Sequence, residues 1–146
     1  MFLPDEAAAH ALGAKLAAVV RPGDVIALSG PLGAGKTSIA RGVLAALGLA
    51  GEAPSPSFAI VQPYDPPEVR LSVLHVDLYR IEDPDEALEL GLEEADDALL
   101  LVEWPERLGD EHWQDALWLT LAFDDAGGRR LTARVPGAWE GRWPLT

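Results

Sequence analysis

Residues 25–48, VIALSGPLGAGKTSIARGVLAALG, decide how the rest of this chain is read. The segment opens on a short apolar run ending at Gly30, which suits a buried strand. It closes on alanine, valine and leucine at helical spacing, with Gly48 behind them as a C-cap, although Gly42 weakens the helix interior. Between strand and helix lies GPLGAGKT, Gly30 to Thr37, which satisfies the Walker A pattern G-x-x-x-x-G-K-[ST] at every defined position. At this chain's residue frequencies such a match arises by chance in on the order of one chain in a thousand of this length. Residues 28–42 also hold four glycines and one of only two lysines, in a protein with a formal net charge of −13.

The chemistry of the pattern is direct. Glycines without Cβ let successive backbone N–H groups converge on phosphate oxygens, and the following helix aims its positive dipole end at the same point. A nucleotide is therefore expected along Gly30, Leu32, Gly33, Ala34, Gly35, Lys36, Thr37 and Ser38. Lys36 is placed to reach the β- and γ-phosphates as a point charge, and the Thr37 hydroxyl to take a coordination place on Mg2+. An acidic chain thus gathers a polyanion with local dipoles and one lysine.

Such a loop needs carboxylates to organise Mg2+ and the attacking water. Asp77 ends the strand pattern LSVLHVD, and Glu103 closes the run ALLLVE. In open α/β sheets ligands gather outside the carboxyl ends of the strands, which makes both site candidates. His75 shares a strand face with Asp77, but no second histidine lies at ligand spacing, so a core role is the simpler reading. Trp104 either stacks on an adenine or packs.

Outward from this centre, residues 5–20 predict an opening helix with Asp5 as N-cap. FAIVQPY and LSVLHVD predict strands, DPDEALELG a short helix capped by Asp83, and ALWLTLAF-DDAGG-RRLTARV a terminal hairpin. The last ten residues have no clear pattern. Together these predict an α/β fold: one compact P-loop domain over residues 1–146, with a central mixed sheet flanked by helices. The chain has no cysteine, which excludes disulfide and zinc–thiolate sites, and no long apolar run or basic leader, so a cytoplasmic protein without a membrane role is expected. The excess of 24 acidic over 11 basic residues argues against direct binding of tRNA or other nucleic acid.

GPLGAGKT, SPSF (Ser55 to Phe58), HVDLYR (His75 to Arg80) and LVEWP (Leu101 to Pro105), in this order, resemble the TsaE family, formerly YjeE. The likeness runs from LPDEAA near the start to about residue 105. It implies a Mg2+-dependent ATPase of the bacterial cytoplasm, required for N6-threonylcarbamoyladenosine (t6A) modification of tRNAs that read codons beginning with A. It further implies work with the TsaD and TsaB proteins, whose turnover the hydrolysis supports, and contact with tRNA only through them. Carried over, Glu103 is the metal-associated carboxylate beside Thr37 and Asp77 the catalytic one. Ser55 and Ser57 fall in a switch-like loop, with Ser57 where the family more often has threonine, and Glu6 approaches the adenosine. A small-molecule P-loop kinase and a non-hydrolysing, nucleotide-gated binding module are the alternatives. The kinase would need an acceptor site and an arginine-bearing lid, for which residues 52–104 offer no arginine cluster.

Overall fold

A computed structural model describes residues 1–51, 53, 61–92 and 97–143. Its elements run β1 (Phe2–Leu3), α1 (Glu6–Ala17), β2 (Val25–Ser29), α2 (Lys36–Ala46), β3 (Val61–Tyr64), β4 (Val73–Asp77), β5 (Leu99–Glu103), β6 (Leu117–Phe123) and β7 (Arg129–Arg134). They form one mixed seven-stranded sheet in the order β1-β7-β6-β2-β5-β4-β3. The four central strands, β6, β2, β5 and β4, are parallel, and antiparallel strands close both sides. Residues 58–60 of the expected strand before β3, and Ser55 and Ser57, lie outside the described residues.

The central strands are apolar on both faces, as buried parallel strands must be. Ile26, Leu28, Leu99 and Leu101 point into a core shared with Leu12, Leu16, Ile39 and Val43 of the two α-helices. Ala27, Leu100, Val102 and Val76 point the other way, towards Ile81, Leu92, Trp113 and Trp118. Both α-helices therefore lie on one face. The opposite face is covered by 3-10 turns at Pro84–Leu90, Pro105–Leu108 and Asp110–Trp113, so among the described residues the sheet is flanked by α-helices on one side only. The short helix expected after Asp83 is the first of these turns. The Asp83 side chain accepts from the Asp85 N–H (3.0 Å) and its carbonyl from the Glu86 N–H (2.9 Å), bonds that tighten the chain beyond an α-helical turn. Among the described residues no helix is long and apolar enough to cross a membrane.

The helices start and stop as their sequences dictate. Asp5 caps α1 by accepting from the Ala8 N–H at 2.8 Å. After α2, the N–H groups of Gly48 and Leu49 return to the carbonyls of Ala45 and Leu44, a Schellman closure. Gly42 has a packing reason for its place in the helix interior. A Cβ there would lie 2.0 Å from the His10 carbonyl oxygen, and one on Gly13 would lie 2.1 Å from that of Ile39. The two helices cross backbone to backbone at this glycine pair.

The unpatterned tail is also part of the core. Trp139 is fully buried within the helix-face cluster, and Arg142 lies 4.1 Å over its ring while pairing with Asp24 at 2.6 Å.

Candidate active site

β2 ends at Ser29, and the chain turns through residues 30–35 into α2, whose first residue is Lys36. Gly35, at the N-cap, has φ +106°, a left-handed conformation that a side chain would strain. Lys36 is nearly inaccessible, and its ammonium donates to the carbonyls of Gly30 (2.5 Å) and Pro31 (2.9 Å). It also sits 4.3 Å above the Trp104 ring. Burial lowers the Lys36 pKa, against the opposing pull of the Glu103, Glu106 and Asp77 carboxylates.

Parallel pairing brings the acids to this loop. Asp77 stands opposite Glu103 in the β4–β5 register, and Glu103 stands opposite Leu28 in the β2–β5 register. Both carboxylates thus emerge at the carboxyl ends of neighbouring strands, beside the loop that leaves β2. One Glu103 oxygen accepts from the Thr37 hydroxyl at 2.8 Å, and the other meets Nε2 of His75 at 2.6 Å. Asp77 is also buried and accepts from the Tyr79 backbone N–H at 2.9 Å. Burial pushes its pKa above the usual aspartate value and the Glu103 charge adds to this, while the Tyr79 N–H opposes it.

A cavity of about 360 Å3 opens here, in the range of small-molecule sites. Glu6, Leu32, Gly33, Ala34, Gly35, Lys36, Thr37, Ser38, Asp77, Glu103 and Trp104 all line it. Gly30 does not. It lies beneath the loop, where a Cβ would meet the Leu121 carbonyl at 2.6 Å, so its smallness admits β6. Glu6 accepts from the Ser38 hydroxyl at 3.0 Å, tying the start of α1 to α2 at the cavity wall. Trp104 is the one described non-glycine residue with positive φ (+62°) and sets its ring 4.8 Å from that of Tyr79.

Asp5, Ala9 and Arg129 also line the cavity, and sequence reasoning did not single them out for it. Arg129 donates to the Gly33 carbonyl at 3.1 Å and lies 4.4 Å over Phe123. Nothing local in RRLTAR marks it, because only the β7–β6–β2 pairing carries it to the glycine-rich loop.

The raised Asp77 pKa has a consequence for stability. An acid with a raised native pKa penalises folding once ionised, so the penalty is absent well below the ordinary aspartate pKa and complete above the native one. Asp77→Asn removes it and keeps an acceptor for the Tyr79 N–H. Without nucleotide or metal, the variant is expected to melt about 2–6 °C above the parent near neutral pH. That margin should shrink as the pH is lowered from neutral towards the ordinary aspartate range, because burial raises the native Asp77 pKa above it. A constant or absent margin in melts across this range would refute the burial argument.

A family model described as Threonylcarbamoyl adenosine biosynthesis protein TsaE matches residues 3–131. The tRNA threonylcarbamoyladenosine biosynthesis protein TsaE of Streptomyces coelicolor is 37% identical over 136 residues, covering 90% of this chain and 91% of that protein. The protein of the same name from Synechocystis is 41% identical over 116 residues, covering 73% and 70%. The crystal structure of Bacillus subtilis YdiB superposes with a TM-score of 0.71 at 28% identity, covering 91% of this chain and 82% of that one. With most of the chain matched by the family model and by relatives of this identity, the chain belongs to the TsaE family.

Proposed function

We propose that this protein binds ATP with Mg2+, hydrolyses it slowly when alone, and acts in t6A modification of tRNA together with TsaD and TsaB proteins. One observation carries the reading: two buried carboxylates leave adjacent parallel strands at the mouth of a glycine-rich loop, and one of them is hydrogen-bonded to the threonine that follows the loop lysine.

The residues present fit the ligands. A Cβ on Gly33 would meet nothing within 4 Å, so the loop apex leaves room for an anion. Among the described residues no three His, Asp or Glu side chains converge as a metal cluster. That suits an ion held by one carboxylate, one hydroxyl and phosphate oxygens, as Mg2+ commonly is. When bound, Mg2+ supplies charge neutralisation across the phosphates. Lys36 would turn its ammonium to the β- and γ-phosphates, Thr37 and Glu103 would hold the ion, and Asp77 would orient a water and accept its proton. Trp104 and Glu6 would flank the nucleoside. Partners would carry the tRNA, because a formal charge of −13 opposes a polyanion.

Lys36→Ala tests the reading. A charge-assisted contact is worth about 1.5–3 kcal/mol, and the other lysine, Lys15, lies on α1 and does not line the cavity. Calorimetry should show ATP affinity falling about 10- to 150-fold in a variant with a parental circular dichroism spectrum. In a reconstituted t6A assay with TsaD and TsaB, the variant should fail to replace the parent. Unchanged ATP affinity would overturn the nucleotide site, and full t6A formation without this chain would overturn the role.

A further inference from the structure

We propose that His75 is a positioning residue: it fixes the Glu103 carboxylate in the orientation that serves Thr37 and the divalent ion. The inference rests on the function proposed above and adds to it a residue that neither the phosphate-loop pattern nor the pair of strand-end acids requires.

His75 is fully buried on β4, on the face that carries Val73 and Asp77. As a space-filler it would be a poor choice, since burying an imidazole forfeits hydration that a leucine does not lose. Its ring makes a single hydrogen bond among the described residues, the 2.6 Å contact with Glu103, and Nδ1 has no partner there. An ionised carboxylate only accepts, so the hydrogen of this bond lies on Nε2. The ring is held for one interaction.

That interaction decides how Glu103 stands. The terminal torsion of a glutamate is broad and roughly two-fold, so the bond from Thr37 to one oxygen leaves the carboxylate plane free to swing. A second donor on the other oxygen pins the plane. Groups that orient a metal-binding side chain in this way typically account for about 10- to 100-fold in metal affinity or activity. His75 comes from β4 and Thr37 from α2, so the carboxylate on β5 is gripped from two elements.

The test compares ATP affinity in EDTA with ATP affinity in excess Mg2+, both by calorimetry, which requires no turnover. The ratio is the Mg2+-linked gain. Glutamine places an amide nitrogen as many bonds from Cβ as Nε2 of histidine, whereas asparagine falls one bond short. His75→Gln should keep the parental gain to within about threefold, and His75→Asn should reduce it about tenfold or more, with affinity in EDTA unchanged to within about twofold in both. In the parent, the nitrogen-15 spectrum should show a slowly exchanging Nε2–H of His75 that moves in Glu103→Gln. Parental gain in both variants, or equal loss in both, would overturn the positioning role. A parent that binds ATP with no Mg2+-linked gain would instead overturn the metal part of the proposed function, and with it this inference.

Discussion

Asp77→Asn is expected to slow ATP hydrolysis by about two to four orders of magnitude, the range that a positioned general base supplies, while ATP affinity stays within about threefold. The amide keeps the hydrogen bond from the Tyr79 N–H but cannot take a proton. The residue that burial and Glu103 make harder to ionise is for the same reason a better base than an ordinary aspartate. Paired with the higher melting temperature expected for the same variant, the result would show activity and stability moving in opposite directions at one atom. Glu103 should behave differently, because its contacts are with Thr37 and His75. Glu103→Gln should shift the Mg2+ concentration needed for half-maximal rate. Single-turnover measurements with partners present check both. An Asp77→Asn protein that hydrolyses at a near-parental rate would remove Asp77 from the chemistry.

Gly42→Ala carries the largest expected loss of stability, about 2–4 kcal/mol, or roughly 5–15 °C in Tm. On helix propensity alone alanine should gain nearly 1 kcal/mol over glycine, so the sign of the effect separates packing from propensity. The added methyl would lie 2.0 Å from the His10 carbonyl oxygen, on a backbone that cannot swing aside as a side chain can. Relief requires α1 and α2 to part, which would also strain the Glu6–Ser38 contact at the cavity. Urea denaturation gives the stability and calorimetry the ATP affinity. A change of less than about 0.5 kcal/mol would refute the close crossing.

The centre of the fold was legible because its signals are local. Strand, glycine turn and helix follow one another within residues 25–48, and Asp77 and Glu103 each end an apolar run, so a parallel sheet was enough to bring them together. What escaped depends on pairing between distant segments. Arg129 reaches Gly33 only because β6 inserts beside β2 and carries β7 with it. The two residues of β1 are too few for a period, and they hold their place by pairing with Arg129 and Arg130. Gly42 read as a weak point in a helix because the partner that needs its bareness, His10, lies on another element. Gly30 belonged to the motif but serves β6, a distinction that pattern matching does not make.

The neighbours of β2 have a consequence for the order in which this protein can be made. The strand that launches the glycine-rich loop spans residues 25–29, yet it hydrogen-bonds to residues 100–103 on one side and 117–120 on the other. A chain emerging from the ribosome therefore exposes its loop long before either flank of the launching strand exists. Until β6 arrives, β2 offers an unpaired parallel edge, and non-local pairing of this kind is slow to form. The glycine-rich loop is consequently a late product of folding, its launching strand flanked on both sides only once residues 117–120 have been delivered.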